Sequence, residues 1–187
     1  MVRKINILLE ANAIHLNSLS DGFPGITPKY GSFLSEAAVV CLEDQNHPSG
    51  IRMTIDGDIN HQLNVFWDNI ENRNQVYRTW QDYEETTEYG AYGLAFLIVS
   101  NLTDYTITQR AMKGKGFDYW IAKKNSNDFL FQNNGRLEVS GIRKGDNSKI
   151  NSRMKEKISR INKYENDIPL IITIIEFSKP ISRVMIK

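Results

Sequence analysis

The spacing of apolar and polar positions predicts three short strands in the second half of the chain. Residues 105–110, 117–122 and 136–141 each alternate between apolar and polar side chains, which is the period of a strand with one buried face. Asp118 lies on the polar side of the second segment, and Glu138 lies on the polar side of the third. If these two strands pair, both carboxylates lie on one face of a sheet, where two oxygen donors favour a divalent cation.

A helical stretch is predicted before these strands, over residues 75–101. Its second half is apolar on nearly every side, so we expect a helix that is buried against other elements. Gly90 and Gly93 lower the helix propensity, and we expect another backbone to approach closely there. Thr86 and Thr87 are available to cap a new turn.

A second helix and two more strands are predicted after the alternating segments. Residues 148–163 place apolar side chains on one stripe and basic side chains around it, which is typical of an amphipathic helix. The β-branched run at 170–177 predicts a strand covered on both faces and paired in parallel after the helical crossover. Residues 181–186 predict an edge strand.

The first part of the chain, residues 1–85, predicts a β-rich N-terminal extension to a core at 86–187. Its predicted strands are residues 5–9, 51–55 and 63–67, the last two joined as a hairpin through Asp56 and Gly57. Residues 33–42 fit either a short helix or a strand. We expect the two parts to form one compact unit, because 187 residues are an ordinary size for a single domain.

Charge is segregated along the chain, although the formal net charge is only +1. Residues 1–100 carry six Lys or Arg and thirteen Asp or Glu, whereas residues 110–163 carry fourteen and five. The basic segment is expected either to attract a polyanion or to form an ordinary solvated face. No apolar run has the length of a membrane span, no signal-like segment follows the N-terminus, and Cys41 is the only cysteine. These features predict a cytoplasmic protein without membrane contact or a disulfide.

Three acidic residues occupy particular places in the predicted order of helix, three strands, helix and strand over residues 86–177. Glu88 lies on the first helix, Asp118 at the start of the second strand and Glu138 near the middle of the third. In this order and in these residues the chain resembles the PD-(D/E)xK nuclease superfamily. The resemblance implies an α/β (α+β) fold with a restriction-endonuclease-like α-β-β-β-α-β core. It also implies a metal-dependent nuclease of restriction, repair or defence systems, with Mg²⁺ or Mn²⁺ held by Asp118, Glu138 and Glu88 and with DNA as the substrate, RNA being the alternative.

Ser140 stands where that superfamily usually has a lysine, two residues after the glutamate, that positions the attacking water. Serine cannot supply the positive charge. We predict that Lys144, just beyond the strand, takes this catalytic role. The alternatives are Arg136, Lys115, Lys149 and Arg153. The same departure is compatible with an inactive nuclease-like subunit that binds nucleic acid or a partner protein within a larger complex.

Two ionised carboxylates a few ångströms apart repel each other, and a cation between them removes that repulsion. In the competing interpretation Glu138 pairs with Arg136 or Arg143, and Asp118 caps a turn. The basic side chains expected to contact the nucleic-acid backbone are Lys115, Arg136, Arg143, Lys149, Arg153 and Lys157. A third interpretation makes the acidic N-terminal half a surface for a protein partner or a homodimer.

Overall fold

The computed structural model describes residues 12–124, 135–161 and 168–187. The described elements follow the chain as β1 (Ala13–His15), a 3₁₀-helix (Leu16–Asp21), α1 (Pro28–Asp44), β2 (Ile51–Gly57), β3 (His61–Phe66), α2 (Arg73–Thr79), α3 (Tyr83–Leu102), β4 (Tyr105–Arg110), β5 (Tyr119–Lys123), β6 (Gly135–Ile142), α4 (Asn147–Ile161), β7 (Leu170–Glu176) and β8 (Ile181–Ile186). The predicted strand at 5–9 lies outside the described residues. The hairpin of β2 and β3 and the strand β4 confirm their predictions.

All eight described strands belong to one mixed sheet in the order β1-β3-β2-β8-β7-β6-β5-β4. β6 and β7 are parallel and α4 connects them, which confirms the predicted crossover. The prediction that residues 181–186 form an edge strand is wrong, because β8 lies between β7 and β2 and pairs with both. The sheet therefore continues from the N-terminal segment into the C-terminal one.

The helix α1 decides the alternative left open for residues 33–42 and corrects the expected β-rich character of the N-terminal extension. Thr27 caps the helix by accepting from the N–H of Tyr30, and Pro28 takes the first helical position, where its missing N–H does no harm. α1 packs against α3. A Cβ atom on Gly90 would lie 3.0 Å from the Cys41 sulfur and 3.1 Å from the Ala37 carbonyl oxygen, so the predicted close approach is confirmed.

The predicted helical stretch over 75–101 is divided into α2 and α3. Asp82 supplies the cap of α3, since its carboxylate accepts from the backbone N–H groups of Glu84 and Glu85. The predicted caps Thr86 and Thr87 are instead buried within the helix, where their hydroxyls donate to carbonyls one turn earlier. The Asp82 carboxylate, a stronger acceptor than a threonine hydroxyl, thus caps the helix one turn before the threonines.

Helices cover both faces of the sheet around β6 and β7. On one face Leu137, Val139 and Ile171 belong to the core that includes α1 and α3. On the other face Ile172 and Ile174 pack with Ile142 and with Ile150 and Met154 of α4. β7 is buried along its whole length, as its β-branched run predicts. The structure is a mixed α/β fold with an eight-stranded sheet.

Candidate functional site

The strand β6 extends beyond the residue that pairs with the first residue of its neighbour β5. β5 pairs with β6 from Tyr119 to Ile121, opposite Leu137 to Gly135. Asp118 continues this ladder in two ways, because its N–H donates to the Leu137 carbonyl at 3.0 Å and its Oδ2 accepts from the Val139 N–H at 2.8 Å. The backbone of β6 therefore fixes the position of the Asp118 carboxylate.

Glu138 meets Asp118 at this place, as the alternation predicts. The two carboxylates are close enough for Asp118 to raise the pKa of Glu138, and Glu138 also forms an ion pair with Lys157 from α4. Glu138 is only 6% exposed. Burial, followed by the charge of Asp118, raises the pKa of Glu138 to about 7, while Lys157 acts in the opposite direction. Near neutral pH Glu138 thus binds a proton more readily than an exposed glutamate does.

Tyr92 links a third carboxylate to this pair. Its hydroxyl lies 2.8 Å from Glu88 Oε1 and 3.0 Å from Asp118 Oδ1. Burial and then the nearby charge of Asp118 raise the pKa of Tyr92 well above its usual value, so the phenol stays protonated. One phenolic proton cannot satisfy two carboxylates fully, and the cluster therefore has more acceptors than protons.

Glu88 is exposed and touches the pair through Tyr92. Tyr92 was missed by sequence reasoning, because it lies in a helix segment that is apolar on nearly every side and resembles an ordinary core residue. Its position four residues after Glu88 places both on one helix face, and this spacing is the signal that could have identified it.

The basic side of α4 approaches the polar face of β6. Besides the pair of Lys157 with Glu138, the Arg153 guanidinium donates to the Ser140 hydroxyl at 3.1 Å. Ser140, which the predicted resemblance puts in the place of a lysine, thus contacts a cation from α4. Sequence reasoning included Lys157 among the residues that contact nucleic acid and not among the substitutes for that lysine.

Three basic residues that were predicted to act beside Asp118 and Glu138 do not contact these carboxylates. Lys144 is exposed in the loop before α4 and does not line the cleft that opens between α3 and α4. Lys115 is exposed in the turn before Asp118. Arg136 is 5% exposed and donates to the Ile168 carbonyl at 2.8 Å, so it cannot serve as an accessible contact for nucleic acid. The competing pairing of Glu138 with Arg136 or Arg143 is replaced by its pair with Lys157.

Arg143 is held by three groups of the N-terminal half and of α3. Its guanidinium forms an ion pair with Asp44 at 3.2 Å, donates to the Cys41 sulfur at 2.5 Å and lies 5.1 Å from the centre of the Tyr83 ring. Burial raises the pKa of the Cys41 thiol to about 12, so Arg143 faces a neutral sulfur. These contacts fix the side chain rather than leave it free to follow a ligand.

A cleft of about 450 Å³ opens between α3 and α4 beside the carboxylates. Its basic lining residues are Arg143, Lys149, Arg153 and Lys157, and Asp118 and Tyr92 lie at its inner end. A second hollow, of about 910 Å³, has Arg110, Lys113, Arg160 and Glu138 in its wall. The two hollows share Glu88, Tyr92 and Asp118, so the carboxylate cluster lies where they meet.

The donor set fits a cation that takes two protein carboxylates. Within the described ranges, no three His, Cys, Asp or Glu side chains converge on one metal position, so the predicted triad with Glu88 as a direct ligand is not assembled. Mg²⁺ is commonly bound through one or two carboxylates, with waters and substrate phosphates as its other ligands. Asp118 and Glu138 satisfy this requirement, and a cation would take the place of the proton that the raised pKa of Glu138 favours.

Comparisons with protein-family models, with curated proteins and with solved structures find no match to this chain. Among the described helices, none is both long and apolar enough to cross a bilayer.

Proposed function

We propose that this protein is a metal-dependent nuclease that cleaves DNA phosphodiester bonds and is a divergent member of the PD-(D/E)xK superfamily. The observation that carries the proposal is the pair of half-buried Asp118 and buried Glu138, with Lys157 bound to Glu138 and basic residues of α4 beside it. Such a pair between two basic hollows suits a substrate that is a chain of phosphates.

Asp118 and Glu138 are the residues that would hold Mg²⁺ or Mn²⁺. When bound, the ion would supply a Lewis acid for a phosphate oxygen and lower the pKa of a water molecule. The Val139 N–H and the Tyr92 hydroxyl orient the Asp118 carboxylate, which keeps its oxygens in fixed directions.

Lys157 is the residue that we assign to the role of the missing strand lysine. It reaches the Glu138 carboxylate from α4, whereas Ser140 on the strand contacts Arg153. Its charge favours ionised Glu138 and lies within reach of a phosphate in the same cleft.

A nucleic-acid-binding subunit without cleavage activity is the second candidate, and the contact between Ser140 and Arg153 favours it. That contact fixes a guanidinium suited to phosphate recognition without providing a lysine on the strand. The same basic cleft would then bind the backbone with a strong dependence on salt.

Cleavage assays separate the two candidates. Purified protein is incubated with plasmid DNA, linear DNA and RNA in Mg²⁺ and in Mn²⁺, alongside Asp118→Asn, Glu138→Gln and Lys157→Met. Lys155→Ala is the matched control, because Lys155 is an exposed cation of α4 outside both hollows. We expect cleavage by the wild type and the control, and its loss in the first two variants.

Salt-dependent binding with no cleavage in either ion would support the binding subunit and refute the nuclease. The absence of any nucleic-acid binding would refute both. Cleavage that persists in Asp118→Asn and Glu138→Gln would place the active site elsewhere.

A further inference from the structure

Tyr83 is an exposed aromatic residue at the mouth of the basic cleft. Its side chain is 62% exposed, although a tyrosine of the first helical turn could have folded back onto the protein. It lines the same cleft as Asp118, Lys149 and Arg153. Asp118, one of the two proposed metal ligands, therefore shares a cavity with two basic side chains and an open aromatic ring.

Arg143 holds the Tyr83 ring from one side. Its guanidinium lies 5.1 Å from the ring centre and is itself fixed by Asp44 and Cys41. A cation over one face of an aromatic ring attracts the ring, and the anchored cation keeps the ring in place. The arrangement provides a flat surface that is already positioned before a ligand arrives.

The α3 side of the cleft, where the Tyr83 ring lies, and the α4 side carry different charges. Glu84 and Glu88 lie on the α3 side near Tyr83, and Lys149, Arg153 and Lys157 lie on the α4 side. A phosphate group is expected on the α4 side, away from the two glutamates. The α3 side is left for an uncharged, planar group, which in a nucleotide is the base.

We propose that Tyr83 and Arg143 form a stacking site for an unpaired nucleobase, so that the preferred substrate has a single-stranded segment next to the scissile phosphate. Bases inside a duplex are stacked on each other and must leave the stack before they can contact a side chain in this way. The cleft volume of about 450 Å³ is that of a site for one small ligand such as a single base. This inference rests on the proposed nuclease function.

Binding is measured with Ca²⁺ in place of Mg²⁺, using a labelled single-stranded oligonucleotide and the same sequence as a duplex. Tyr83→Leu removes the ring and keeps much of its bulk, and Tyr83→Phe keeps the ring. Because stacking is strong for every base, we expect Tyr83→Leu to weaken single-strand binding about tenfold and Tyr83→Phe to weaken it less than about twofold. Duplex binding should change little in both variants.

A fluorescent adenine analogue placed along the strand reports stacking independently of affinity. We expect its emission to be quenched by the wild type and by Tyr83→Phe at one position, and to recover in Tyr83→Leu. Equal losses for the single strand and the duplex, or quenching that persists in Tyr83→Leu, would overturn the stacking site.

The outcomes also separate this inference from the proposed function. Duplex cleavage that depends on Asp118 and Glu138 but not on Tyr83 would refute the stacking site and retain the nuclease. Failure of every nucleic acid to bind would refute the nuclease, and the stacking site with it.

Discussion

The proton on Glu138 makes the stability of the protein depend on pH in a direction that can be measured. The pKa of this carboxyl is about 7 in the folded protein, against an ordinary value of 4.5. Because the folded protein holds the proton more tightly than the unfolded chain, ionising Glu138 lowers the free energy of unfolding. This stabilising contribution is complete below pH 4.5 and is lost as the pH rises to about 7.

The size of the effect follows from the difference between these two pKa values. The difference between these pKa values corresponds to about 3 kcal/mol in total, most of which falls between pH 5 and pH 8. Glu138→Gln carries no charge at either pH. We therefore expect the loss of stability from pH 5 to pH 8 to be about 2–3 kcal/mol smaller in this variant than in the wild type.

The measurement is urea denaturation at both pH values, without divalent cations, for the wild type and Glu138→Gln. Glu84→Gln is the control, because it removes an exposed carboxylate from the cleft wall. Added Mn²⁺ at pH 8 should stabilise the wild type and not Glu138→Gln, since the ion replaces the lost proton. Equal pH dependence in the wild type and Glu138→Gln would refute the buried pair, and equal Mn²⁺ stabilisation would refute the metal site.

Three further predictions use the same site. Asp118→Asn removes a charge that raises the pKa of Glu138, so the pKa should fall towards its usual value in an NMR titration, and an unchanged value would contradict the contact. Lys157→Met removes an opposing charge, so calorimetric Mn²⁺ binding should require a higher pH than in the wild type, with Lys155→Ala unchanged. A Cβ atom at Gly141 would lie 2.5 Å from the Thr87 carbonyl oxygen, so Gly141→Ala should lower the free energy of unfolding by about 1–3 kcal/mol, and a neutral result would contradict this close packing.

Local periodicity predicted the elements whose environment follows from their own pattern. The hairpin of β2 and β3, the buried run of β7 and the meeting of Asp118 with Glu138 belong to this group. In each case alternation or continuous apolarity shows which faces are buried, and pairing then brings the side chains together.

Contacts between elements could not be predicted in the same way. Arg136 and Glu138 share a strand face, yet Arg136 is covered and bonded to Ile168, because the sequence pattern gives the face and not what covers it. Lys157 reaches Glu138, while Lys144 does not, because α4 crosses the sheet in a direction that only the packing of Ile150 and Met154 fixes. Distance along the chain was a poor guide to which lysine lies near the glutamate.

The central place of β8 has a consequence for the order in which the protein is made. Arg183 of this strand binds Asp56 of β2, a partner 127 residues earlier in the chain. During synthesis the β2 edge of the hairpin of β2 and β3 therefore stays unpaired until residues 181–186 have left the ribosome. Pairing over such a separation is slow, and we expect the nascent chain to need protection from aggregation until β8 joins the two halves of the sheet.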